Sequence, residues 1–168
     1  MLLTLLSSAL AAPSLSASYY GDALVHPGGS LGVDVPVLEL RRRTLAAGGQ
    51  VGFTVDPAHD TMLFTQGTLA LRRDRFWKLR TELILGLGGS RSFHNALTYT
   101  ADGSTVPLAG QWGVMPSVAV GIGRQTFFAE ELRWHLRPTV YLLSPYNAGA
   151  APEVAVQAGL TWTPGGER

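Results

Sequence analysis

The segment from Trp77 to Gly88 constrains this chain more than any other. Trp77, Leu79, Thr81, Leu83, Leu85 and Leu87 recur at every second residue, and Lys78, Arg80, Glu82, Ile84, Gly86 and Gly88 alternate with them. A period of two puts the two sets on opposite faces of a β-strand. One face is then almost wholly apolar, while the other carries charge or small residues. Such a strand faces two different environments, one on each side.

The pattern recurs along the chain. Leu132, Trp134, Leu136, Pro138, Val140 and Leu142 alternate with Arg133, His135, Arg137, Thr139 and Tyr141. Val154, Val156, Ala158, Leu160 and Trp162 alternate with Glu153, Ala155, Gln157, Gly159 and Thr161. Shorter runs at 30–35, 50–55 and 114–123 behave alike. The run 63–71 is less regular, because Met62 and Phe64 fall on the face opposite Leu69. Helical spacing fits none of these runs as well, and no stretch of about 18 consecutive apolar residues offers a spanning helix. No period of 20–50 residues suggests a solenoid.

Turn-like segments separate the runs: 56–60, 73–75, 124–125, the longer 144–149, and 89–112 with its Asp102-Gly103 signal. Strands are expected near 14–20, 28–40, 49–55, 61–73, 77–88, 113–123, 127–143 and 152–163. Short turns at the periplasmic end and long outer loops mark bacterial membrane barrels. If the last strand runs inward, the longest connection, 89–112, lies outside and the shortest, Arg124-Gln125, lies inside. Both termini are then periplasmic. The expected fold is all-β: an eight-stranded antiparallel up-and-down transmembrane β-barrel, closing between the first and last strands.

Eight strands leave an interior that side chains just fill. The expected lumen polar network is Asp34, Lys78, Arg80, Glu82, Glu131, Arg133, His135 and Arg137, with Arg72 and Glu153 on the same face. The expected lipid-facing belt is Leu79, Leu83, Leu85, Val120, Ile122, Leu136, Val140, Val156 and Leu160. Trp77, Phe127, Phe128 and Trp162 fall near the inner rim, as an aromatic girdle would. The competing reading of the girdle is a set of core aromatics in a soluble fold.

Composition agrees. Apolar residues make up 46% and charged residues 15%, which argues against disorder. The net charge is +1 and no basic stripe stands out, so nucleic acid is not an expected partner. Arg41-Arg42-Arg43 reads as a solvated turn. Cysteine is absent, which rules out disulfides and thiolate metal sites. Residues 1–12 read as a secretory signal, with a small-x-small pattern at Ala9-Leu10-Ala11 but no Lys or Arg before the apolar run. A buried terminal element is the alternative. Residues 13–168 make the single barrel domain.

Several stretches carry a family resemblance. Tyr19-Tyr20-Gly21-Asp22 through Gly28, with Leu31-Gly32-Val33 and Pro36-Val37-Leu38-Glu39, is one. Met115-Pro116-Ser117 leading into Gly121-Ile122-Gly123, and Leu136-Arg137-Pro138 leading into Pro145-Tyr146-Asn147, are others. They resemble small outer-membrane barrel proteins of Gram-negative envelopes, with the eight-stranded architecture of OmpA and OmpX. The resemblance spans most of 19–162. It implies a barrel in the bacterial outer membrane and no known activity. Such barrels usually end on an aromatic residue read by the outer-membrane assembly machinery; here Trp162 is followed by a six-residue tail.

Chemistry is weakly signalled. A lipid A-modifying hydrolase of this class would resemble a His-x-Ser pattern, whereas Ser92-Phe93-His94-Asn95 has the reverse order. His135 among Glu131, Arg133 and Arg137 reads as part of a lumen network, with a proton-active or ligand site as the alternative. His26, His59, His94 and His135 are too scattered for a metal site. No catalytic, cofactor-binding or metal residues are expected. The expected role is a non-enzymatic structural, adhesive or narrow transport barrel, monomeric, with membrane lipid and the assembly machinery as partners. Two alternatives stand beside it: a secreted soluble lipocalin-like barrel holding an apolar ligand, and a lipid-modifying barrel enzyme. The face that carries the leucines decides between membrane and soluble.

Overall fold

A computed structural model describes residues 12–22, 26–40, 43–56, 60–94, 97–99, 105–107, 110–146 and 149–165. The expected leader over 1–12 lies, apart from Ala12, outside these. The chain forms β1 (Ser14–Asp22), β2 (Gly28–Leu40), β3 (Arg43–Val55), β4 (Asp60–Asp74) and β5 (Leu79–His94). There follow β6 (Leu97–Tyr99), β7 (Thr105–Pro107), β8 (Trp112–Val114), β9 (Ser117–Gln125), β10 (Leu132–Tyr146) and β11 (Gly149–Trp162).

Each strand of the main sheet pairs antiparallel with its neighbours, and β11 pairs with β1. β8 and β9 are two pieces of one stave, both lying between β5 and β10. The ring therefore has eight staves and no free edge. Paired residues can be followed around it from Asp74 through Arg80, Gly123, His135, Gly159, Ser18, Ser30 and Gly52. The path returns to β4 at Phe64, ten residues from its start. That stagger requires strongly tilted strands. Tilt is what lets strands as long as the 16-residue β5 sit in a bilayer-sized wall.

The connections alternate between the two ends, and the longest of them, 95–111, marks the first. Residues 23–27, 56–59, 95–111 and 147–148 lie at one end; 41–42, 75–78 and 126–131 lie at the other. The 95–111 excursion carries the β6–β7 hairpin. Several expected boundaries move. β3 starts at Arg43 rather than 49, because the small residues of 43–49 are held by ladders on both sides. Arg43 thus belongs to a strand. β5 runs on to His94, so the excursion begins later than expected. β10 and β11 continue to Tyr146 and from Gly149, which reduces the expected 144–149 loop to a tight hairpin.

β10 starts at Leu132 rather than 127, since residues 126–131 close on themselves. The Leu132 amide donates to the Ala129 carbonyl, and the Thr126 hydroxyl donates to the carbonyls of Ala129 and Leu132. Trp77 and Lys78 leave the strand pattern altogether. They sit in a short turn with φ of 62° and 58°, a left-handed conformation that costs an L-residue roughly 1–2 kcal/mol. The Arg75 amide donates to the Leu79 carbonyl across this turn.

Candidate functional site

The barrel wall presents its apolar face outward. Leu83, Leu85, Val120, Ile122, Leu136, Val140 and Leu160 are all exposed on it, with Leu79 and Val156 half-buried on the same face. Leu15, Leu31, Val51 and Leu69 continue the belt around the other staves. The register places Leu69, Leu85 and Val118 side by side on adjacent strands. Water penalises an apolar surface of this extent, whereas lipid tails accommodate it.

The interior is layered. Near the long-loop end, Tyr20, Met62, Phe64, Met115, Tyr141 and Ala155 form an apolar plug. The Tyr20 and Phe64 rings lie 4.8 Å apart at a tilt of 46°. Gly52, opposite Phe64, leaves room for that ring inside the wall. Next comes an amide layer. Gln66 Oε1 accepts from Gln50 Nε2 at 3.1 Å and from the Ser117 hydroxyl at 3.3 Å. Gln66 Nε2 donates to the Met115 carbonyl at 2.9 Å, tying this layer to the plug.

A cavity of about 30 Å³ lies beneath, lined by Asp34, Gln50, Gln66, Ser117, Arg137 and Gln157 among others. That is room for a water or two. Below it Glu82 joins two guanidiniums: Oε1 accepts from Arg72 Nε at 3.1 Å and Oε2 from Arg137 Nε at 2.9 Å. Arg72 also donates from Nη2 to Asp34 at 2.8 Å. Arg72, Glu82 and Arg137 side chains are all less than a tenth exposed. Buried charges of this kind are tolerable only when paired and hydrogen-bonded. Arg80 makes a two-pronged contact with Asp74 at 3.0 and 3.1 Å. Arg133 Nη1 donates to the Lys78 carbonyl at 2.9 Å.

Glycine makes this network possible. A Cβ on Gly121 would sit 3.1 Å from both Arg137 Cγ and Glu82 Oε2. Gly121→Val is therefore expected to crowd the ion pairs and lower stability by roughly 1–3 kcal/mol, the usual range for overpacking. Urea titration of the folded barrel measures it; an unchanged midpoint would mean the network has slack.

Six of the eight residues expected in the lumen face it: Asp34, Arg80, Glu82, Arg133, His135 and Arg137. Two do not. Lys78 sits in the turn that breaks the alternation one residue before β5, and its exposed ammonium lies 3.7 Å from Glu130. Glu131 precedes β10 and is exposed; it accepts from Trp162 Nε1 at 3.0 Å on the outside. The sequence reading missed the plug. Its signal was the irregularity of 63–71, where Met62 and Phe64 are apolar residues on the inner face.

His135 stands between two hydroxyls, with Nε2 2.8 Å from Ser18 Oγ and Nδ1 3.0 Å from Thr161 Oγ1. A Ser–His pair acts as a nucleophile when a third group, usually a carboxylate, orients the imidazole and substrate can approach. Here the third group is a hydroxyl and the pair is enclosed by the wall. Ser92 lies on β5, and the side chain of His94 is outside the described residues. Among the described residues no cluster of three His, Asp or Glu side chains could hold a metal.

No protein-family model matches the chain, and no curated protein matches it in sequence. Solved structures do match in fold. Neisserial surface protein A (NspA) superposes with a TM-score of 0.58 at 10% identity, covering 92% of this chain and 95% of its own. Ail, the attachment invasion locus protein of Yersinia pestis, gives 0.61 at 8% identity, covering 91% and 98%. The N-terminal β-barrel domain of Pseudomonas aeruginosa OprF gives 0.50 at 16% identity, covering 91% and 98%. Each match spans nearly the whole of both chains, so the likeness is to the complete barrel. The chain has the eight-stranded transmembrane β-barrel fold of these bacterial outer-membrane proteins.

Proposed function

We propose that the protein is a monomeric, non-enzymatic barrel of the bacterial outer membrane. Its lumen is closed to solutes and its long loops act as a structural or adhesive surface. The plug of Tyr20, Met62, Phe64, Met115 and Tyr141, stacked on the Glu82 ion-pair layer, carries this reading. A solute would have to displace close-packed aromatics and then separate buried charge pairs. The outward leucine belt supports insertion in lipid and runs against a soluble lipocalin-like binder, whose apolar residues would line the interior. Loops on a rigid scaffold commonly carry recognition. The long-loop end offers four connections, steadied by His26 Nε2 at 3.2 Å from Asp56 between two of them. One fold neighbour has attachment in its name, which agrees with a contact role at this rim.

Conductance across a planar bilayer tests the closed lumen. The wild-type barrel is expected to give no discrete steps, and Phe64→Ala with Tyr141→Ala is expected to introduce flickering ones. Regular steps from the wild type would make it a channel and sink the reading. Fractionation with the outer membrane, and a mobility shift between unboiled and boiled samples, test the location and the fold.

A further inference from the structure

We propose that the outward surface of the inner rim, where β3, β4, β5 and β9 end, binds the headgroup of an anionic phospholipid. The inference rests on the membrane reading above. Its central observation is a like-charge pair. Arg43 on β3 and Arg73 on β4 are direct cross-strand partners, both on the outward face and both exposed. Residues so placed have Cβ atoms about 5 Å apart, and like charges there repel. Neither guanidinium has an acidic partner among the described residues. A phosphate oxygen between them would convert the repulsion into two charge-assisted contacts, the geometry in which arginine excels.

The surroundings extend the site. Arg75 is exposed in the β4–β5 turn beside Lys78, whose ammonium is shared with Glu130, and Arg124 is exposed on the outward face of β9. Exposed aromatics flank them. Trp77 is 86% exposed and Phe127 93%, and the Arg124 guanidinium lies 5.8 Å from the Phe127 ring centroid. Aromatic rings and cationic side chains together suit the headgroup level of a bilayer. The leucine belt meets this rim directly through Leu71, Thr81 and Ile122.

The charge is confined to one sector. On the outward face of β10, β11, β1 and β2 the described residues include no base, and Glu39 pairs with Thr44 in the inward-facing set. A general rim effect would spread the bases around the barrel. The 95–111 excursion marks the opposite end as the outer one, so this rim is periplasmic and the ligand comes from the phospholipid leaflet.

Native mass spectrometry of the protein released from nanodiscs of equal phosphatidylglycerol and phosphatidylcholine tests this. A base near an anionic headgroup favours it by roughly five-fold. The wild type is expected to retain phosphatidylglycerol over phosphatidylcholine five-fold or more. Arg43→Gln with Arg73→Gln should lose most of that preference, while Arg91→Gln, at the opposite end, should keep it. Equal retention of both lipids by the wild type overturns the site. So does a preference that survives the double variant, or one that Arg91→Gln also removes.

Phosphatidylglycerol should also raise the unfolding temperature of the wild type in neutral micelles at low but not high salt. A salt-independent rise overturns the headgroup assignment, and this arm does not depend on the variants folding. A wild type that lacks the heat-dependent gel shift would instead remove the membrane reading beneath the proposal.

Discussion

Replacing Glu82 by Gln is expected to destabilise the barrel by about 3 kcal/mol while leaving it assembled. Glu82 is the carboxylate that both Arg72 and Arg137 contact, at 3.1 and 2.9 Å, and all three side chains are buried. Arg72 keeps Asp34 at 2.8 Å after the change, but Arg137 loses its ion pair. Removing one partner of a buried pair typically costs 3–5 kcal/mol, because the other charge stays desolvated. The small cavity beside Arg137 gives water some access, which argues for the low end. Assembly survives because the strand ladders and the outward belt do not involve Glu82. Adding Arg137→Met to the variant should recover most of the loss, since it removes the stranded charge. Urea titrations in vesicles measure both steps. A single variant within about 1 kcal/mol of wild type would show that the pairs are incidental. A double variant worse than the single would show that Arg137 is held by something other than Glu82.

The strands were legible wherever neighbouring residues differ sharply in polarity. β5, β10 and β11 declare their two faces through Leu79 to Leu87, Leu132 to Leu142 and Val154 to Trp162, because lipid and lumen demand opposite chemistry at alternate positions. β3 was half hidden. Its first residues, Arg43 to Gly49, are small or polar on both faces apart from Leu45, and their strand conformation comes from β2 and β4 on either side. The plug was hidden for a different reason. Met62 and Phe64 are apolar like the belt, and only three-dimensional closure reveals that they meet Tyr20, Met115 and Tyr141 in the centre. Alternation also overreached at strand ends. It counted Lys78 and Glu131 into the lumen, yet a left-handed turn redirects the first and the 126–131 turn leaves the second outside. Parity holds only while the pleat continues.

An arginine on the outward face should cost an amount that depends on its height in the wall. Leu85 sits near the middle of β5, beside Leu69 and Val118, and is half exposed on the belt. Leu79 begins the same strand at the inner rim, paired with Arg124, where charged side chains already reside. In lipid, an outward Arg costs roughly 2–4 kcal/mol at the midplane and roughly 0–1 near the interface. Leu85→Arg is therefore expected to lose about 3 kcal/mol of folding free energy in vesicles, and Leu79→Arg less than about 1. The two substitutions change the same side chain on the same face of the same strand. Their difference isolates the surrounding solvent from any effect on strand propensity. In water both would be mild, and Leu85→Arg would even improve solubility. Equal and small effects would mean that the leucine belt is wetted, and the barrel would not be a membrane protein. Equal and large effects would mean that the bilayer sits lower on the wall than the turn at Trp77 and Lys78 implies.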